Sequence, residues 1–74
     1  MNNDVAPETK ISILQRKITM WQNTHYSAHL DAQVAQSIED NQMLEQAKDT
    51  MKKALRAQDK LKTIMDDLAA SSGG

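Results

Sequence analysis

The sequence has no cysteine and no phenylalanine, and it holds one proline and two glycines. Without cysteine it offers no disulfide and no thiolate site, which is typical of a reducing compartment, so we expect a cytoplasmic protein. No apolar run approaches the roughly 18 residues of a membrane span. The first residues, MNNDVAPETK, lack the basic and apolar regions of a signal peptide. The sequence therefore predicts no contact with a membrane.

An excess of charge of either sign is also lacking, because the nine Lys and Arg residues nearly balance the ten Asp and Glu residues, for a net charge of −1. Proteins that track a nucleic-acid backbone are usually strongly basic, so we expect no nucleic-acid partner. The basic stretch 48–62 is interrupted by Asp49 and Asp59. That pattern is typical of a solvated helix face with ion pairs between neighbouring turns.

Motifs of catalysis are missing as well. The sequence shows no glycine-rich phosphate loop, no dinucleotide fingerprint and no nucleophile elbow, so we expect neither an enzyme nor a cofactor. A single core in a chain of 74 residues rarely supplies more than about 3–5 kcal/mol of net stability. Self-association is the usual remedy when disulfides and metals are absent.

What the chain does contain is a helix composition. Between Pro7 and Gly73 there is no strong helix breaker, and Ala, Gln, Leu, Lys, Met and acidic residues dominate. Asp40 and Asn41 are good turn and capping residues. We therefore predict a flexible tail at 1–7, a helical hairpin at 8–70 with its turn near 39–42, and a flexible tail at 71–74.

Two apolar seams support an all-α, antiparallel, coiled-coil-like hairpin. The seam of the second half comprises Leu44, Ala47, Met51, Ala54, Gln58, Leu61, Met65 and Leu68, with Leu55 and Ile64 expected to widen it. The seam of the first half comprises Ile11, Leu14, Ile18, Trp21, His25, Ala28, Ala32 and Ala35. Folding back near residue 40 places small residues opposite each other beside the turn and bulky ones at the open end.

Two other arrangements remain open from the sequence. Asn23 and Thr24 are poor helix formers. A break at 22–25, with Thr24 as a new N-cap, would give a three-helix bundle. The absence of glycine near residue 40 would also permit one uninterrupted rod.

The first half carries a second apolar face, formed by Tyr26, Leu30, Val34 and Ile38. Their direction is rotated by more than about 90° from the seam, so a lone hairpin leaves them in water. A contiguous patch of this kind usually marks an interface. We expect it to mediate self-association into a four-helix bundle or a higher oligomer.

The segment WQNTHYSAHLD gathers the only Trp, the only Tyr and both His. Rings that stack, amides that hydrogen-bond and nearby cations could hold a small anionic ligand. The candidate residues for such a site are Arg16, Lys17, Trp21, Asn23, His25, Tyr26 and His29. His25 and His29 are four residues apart but lack a third ligand at good spacing, so no metal is expected.

Two hypotheses about function follow. The first is a small non-enzymatic interaction protein, an adaptor or inhibitor, which associates with itself and with another protein through helix faces. The alternative is an oligomer that sequesters an anionic molecule such as a nucleotide. The second requires the residues of the aromatic and histidine segment to meet in one pocket, whereas the first does not.

Overall fold

A computed structural model describes residues 5–73 as two helices packed against each other in an antiparallel hairpin. Helix α1 spans Pro7–Ser37, helix α2 spans Asn41–Gly73, and 38–40 connect them. The hairpin measures 53 × 21 × 16 Å. The predicted all-α class and hairpin are confirmed, and within 5–73 neither helix is long and apolar enough to cross a membrane. Of the predicted tails, 1–4 and residue 74 lie outside the described residues.

Helix α1 is continuous through 22–25, where the three-helix arrangement required a break. Thr24 is not an N-cap, because its hydroxyl donates to the carbonyl oxygen of Met20, 3.0 Å away. A mid-helix Thr commonly hydrogen-bonds back to the preceding turn in this way. Low intrinsic propensity at two positions is thus outweighed by packing of the helix along its length.

The turn ends α1 in a Schellman motif without glycine. The Asp40 N–H donates to the Ala35 carbonyl at 2.9 Å, and the Glu39 N–H donates to the Gln36 carbonyl at 3.3 Å. This pattern requires the residue after the C-cap to adopt the left-handed backbone conformation, and Glu39 does so with φ 59°. A side chain with a Cβ is strained there, so the motif forms at some energetic cost.

Helix α2 begins with a side-chain cap, whereas α1 does not. Asp40 Oδ1 accepts a hydrogen bond from the Met43 N–H at 3.0 Å, which satisfies one donor of the first turn. Ala6 precedes α1 and makes no side-chain cap. Pro7 suits the first turn, since its missing N–H would be unsatisfied there, and Glu8 favours the positive end of the helix dipole.

The two predicted seams face each other and form the core. Among residues 5–71 the buried ones are Ile18, Ala28, Ala35, Ala47 and Ala54, all of which belong to the seams. The other seam residues are half-buried: Ile11, Leu14, Trp21, His25, Ala32, Leu44, Met51, Gln58, Leu61, Met65 and Leu68. The prediction that Leu55 and Ile64 widen the seam is wrong, since they are 54% and 39% exposed. A single facing helix covers a strip too narrow to reach them.

Candidate functional site

Four large apolar side chains form a row on the outside of α1 and at its C-terminal end. Tyr26 is 61% exposed, Leu30 42%, Val34 49% and Ile38 61%. We call these four residues the apolar row. They are the residues that the sequence singled out as a second apolar face, and on the single chain all four are accessible to a partner.

The row winds obliquely around α1. A step of four residues turns about 400° around the helix, so each member lies about 40° further round than the previous one. Leu30 points nearly opposite to the seam, while Tyr26 and Ile38 lie towards the two flanks. From Tyr26 to Ile38 the row extends about 18 Å along the helix. It is a ridge of the i, i+4 type and not a heptad stripe.

Within α1 the surroundings of the row carry little charge. In the 21 residues from 18 to 38 the one Asp, Glu, Lys or Arg is Asp31, and the polar neighbours are mainly Gln, Ser, Thr and His. Helix α2 carries eleven such charged residues. Its exposed face includes the ion pair between Lys48 Nζ and Glu45 Oε2, 3.8 Å apart. Depletion of charge is typical of the centre of protein interfaces.

On the single hairpin the residues of the aromatic and histidine segment do not line one pocket. Trp21 and His25 are half-buried in the seam. Tyr26 and His29 lie on the exposed side, with ring centroids 6.3 Å apart. Because the segment is one continuous helix, its members point in several directions, which a sequence cluster alone does not reveal.

Two of the ligand candidates do meet in a groove beside the seam. Arg16 and Asn23 line an open groove of ≈ 800 Å³. The other lining residues are Thr19, Met20, Thr24, Ser27, Ala28, Asp31, Met43, Gln46, Ala47 and Thr50. Lys17, Trp21, His25, Tyr26 and His29 are not among them. Arg16 is the sole cation of this lining, and the Asp31 carboxylate opposes an anionic ligand.

The groove also contains residues that the sequence analysis missed. Met20 is 49% exposed and Met43 is half-buried at its edge. Methionine adapts its shape to irregular apolar surfaces, so both add to the apolar character of the groove. The heptad spacing of α2 could have predicted one wall of the groove, since Met43 and Thr50 are seven residues apart and adjoin the α2 seam.

No metal centre is formed in the part of the chain that the structure describes. No group of three or more His, Cys, Asp or Glu side chains is arranged there to hold an ion. Comparisons with protein-family models, with curated proteins and with solved structures found no significant match to this chain.

Proposed function

We propose that the protein is a small non-enzymatic helical interaction protein, an adaptor or inhibitor, which associates with itself through the apolar row and presents its remaining helix faces to a protein partner. The observation that carries the proposal is the exposure of four large apolar side chains in one contiguous row. Such a patch on a small protein usually marks a contact surface.

The composition of the core supports self-association. Of the five residues buried within 5–71, four are alanines, which remove little apolar area from water. Burial of the row against another copy adds the larger side chains that the hairpin core lacks. Because association stabilises the folded state by mass action, the folded hairpin and the oligomer reinforce each other.

The outer face of α2 is the proposed surface for a second protein. It carries both signs of charge at high density, including Lys52, Arg56 and Asp59, and these side chains are exposed. Charged rims steer encounters and select partners more than they add affinity. A dimer displays two such faces while the apolar rows are covered.

Native mass spectrometry of the purified protein tests self-association. We expect a mass that is a multiple of 8.3 kDa for the wild type. Leu30→Glu should return the protein to the monomer mass, because a buried unpaired charge costs several kcal/mol. Thr63→Glu adds the same charge on the exposed side of α2 and should leave the oligomer intact. A folded wild-type monomer at tens of micromolar would contradict the proposal.

The groove gives one observation in favour of a ligand-sequestering oligomer. Arg16 and Asn23 lie there with the polar side chains of Gln46 and Thr50 from the other helix. The same spectrum tests this second candidate, since a bound small molecule adds mass. An added mass that disappears in Asn23→Ala but persists in Gln22→Ala, a neighbouring exposed amide outside the groove, would replace our proposal with sequestration.

A further inference from the structure

We propose that helix α1 of a second copy covers the apolar row, and that the two α1 helices cross at about 50° instead of lying side by side in an aligned four-helix bundle. This inference depends on the self-association proposed above and specifies its partner and geometry.

The spacing of the row sets the crossing angle. Rows of the i, i+4 type run at about 26° to the helix axis, and when two such ridges interdigitate the axes cross at about 50°. An aligned bundle with a crossing of about 20° instead needs a second stripe with heptad spacing. Tyr26, Leu30, Val34 and Ile38 follow steps of four throughout. The row is therefore suited to the oblique packing.

Charge determines which helix of the second copy fits. The outer face of α2 would bring Lys52, Arg56 and their neighbours against apolar side chains, and the loss of their hydration opposes that contact. The α1 stretch 18–38 carries one charged side chain, Asp31. A second copy of the same stretch is apolar along its centre, and Asp31 is the one charge that borders it. Two-fold symmetry then places each row against an identical surface.

The length of the row agrees with a crossed contact. Helices that cross at this angle diverge within a few turns of the crossing point, and the row covers about 18 Å, or slightly more than three turns. Leu55 and Ile64 lie on opposite flanks of the α2 seam and are both exposed. An aligned bundle that packs one broad side of the hairpin would cover one of these two residues. The crossed dimer leaves both in water.

Sedimentation equilibrium of four matched glutamate variants distinguishes these arrangements. We expect Leu30→Glu and Val34→Glu each to raise the dissociation constant more than about thirtyfold, the loss typical of an interface hot spot. Leu55→Glu and Ile64→Glu should change it by less than about threefold. All four positions are exposed on the single hairpin. Circular dichroism should therefore show helix retained in every variant, which separates dissociation from unfolding.

Each outcome has a distinct meaning. If Leu30→Glu dissociates the protein and Leu55→Glu or Ile64→Glu does so equally, the copies are aligned, so the crossed geometry is refuted while self-association stands. If the wild type is monomeric, the row is left for a foreign partner and both proposals fail. If Leu30→Glu and Val34→Glu leave a wild-type oligomer unchanged, the copies meet elsewhere and both proposals fail again.

Cysteine cross-linking provides a second test, which measures the proximity of the two copies instead of their affinity. The chain has no cysteine, so an introduced thiol is unique. In the crossed dimer a short bis-maleimide should join Leu30→Cys rapidly, because the two Leu30 positions lie near the crossing point. Packed helices lie 8–10 Å apart, so the two introduced thiols at position 30 are within reach of the linker. Leu55 is equally apolar in the parent protein but lies on the other helix, away from the contact. Leu55→Cys should therefore react at least about tenfold more slowly. Equal rates for the two variants would refute the crossed geometry.

Discussion

The half of the hairpin beside the turn and the half at its open end pack in different ways. Near the turn the buried residues are Ala28, Ala35, Ala47 and Ala54, whereas Ile18 is the one buried residue of the open half within 5–71. Alanine seams let helix backbones approach closely but remove little apolar surface from water. Larger seam residues at the open end, such as Leu61 and Met65, stay half-buried.

The comparison teaches that close approach and apolar burial are separate contributions to this fold. The turn half is held by a seam of small buried residues, a side-chain cap at Asp40 and the hydrogen bonds of the Schellman motif. The open half depends on a few large side chains that one neighbouring helix covers incompletely. The apolar row, from Tyr26 to Ile38, lies on the outer side of the turn half, where the buried seam residues are alanines.

The largest expected effect comes from Ile18→Ala in the open half. Removing a buried isoleucine side chain typically costs about 2–5 kcal/mol, a large share of the roughly 3–5 kcal/mol expected for one small core. We expect most of the helical signal to be lost in urea titrations at low denaturant. Met20→Ala, two residues away and half exposed, should shift the midpoint little. Equal effects of the two variants would show that the open half has no defined core.

Close approach in the turn half is tested by Ala54→Leu. Ala54 is 0% exposed, so extra methylene groups must push the helices apart, at a cost of about 1–3 kcal/mol. Thermal unfolding followed by circular dichroism measures the loss. Ala70→Leu makes the same change at an exposed position of α2 and should be nearly neutral. A stabilised Ala54→Leu protein would mean that the seam has room for larger residues there.

Removal of the α2 cap should have a smaller effect. Asp40→Ala deletes the acceptor for the Met43 N–H, and loss of an N-cap typically costs about 1 kcal/mol. Asp40→Asn keeps a capping oxygen and should retain most of the stability. The free energies of unfolding in urea compare the three proteins. If Asn behaves like Ala, the contribution of Asp40 is its charge at the helix dipole and not its hydrogen bond.

The smallest expected effect is a gain, from Glu39→Gly in the turn. Glu39 holds φ 59°, which glycine adopts without a Cβ penalty, while glycine also loses more entropy on folding. We expect a net stabilisation of about 0.5–1 kcal/mol by chemical denaturation. Glu39→Ala removes the side-chain charge but keeps the Cβ, so it should give no such gain. If both variants gain equally, the strain at this position is electrostatic and not conformational.

Much of the fold could be predicted because the seams follow simple periodicity. The heptad steps of both helices identified the residues that face inward, including the polar Gln58 and His25, which are half-buried. The outward direction of the apolar row also followed from its rotation relative to the seam. These are local angular relations, and a continuous helix preserves them.

Other features depended on information beyond local pattern. The side-chain hydrogen bond of Thr24 to Met20 and the continuity of α1 could not be distinguished from a capped break by composition. The left-handed conformation at position 39 could not be predicted, because Glu, and not Gly, occupies that position. The ligand cluster looked like one site because its members are close in sequence, but helical geometry disperses them. Arg16 and Asn23 share the groove with residues of α2 that are distant from them in the sequence, so no local pattern could predict it.

The short turn has a consequence for the order of folding. Counting outward in equal steps from residues 39 and 40 pairs Ala35 with Leu44 across the eight residues 36–43, and Ile11 with Leu68 across the 56 residues 12–67. Loop-closure entropy grows with the length enclosed, so the alanine layers close first and the helices zip towards the open end. We expect higher φ-values for conservative substitutions at Leu44 than at Leu68. The surface proposed for association would then emerge with the earliest-formed part of the molecule, before the ends of the helices have met.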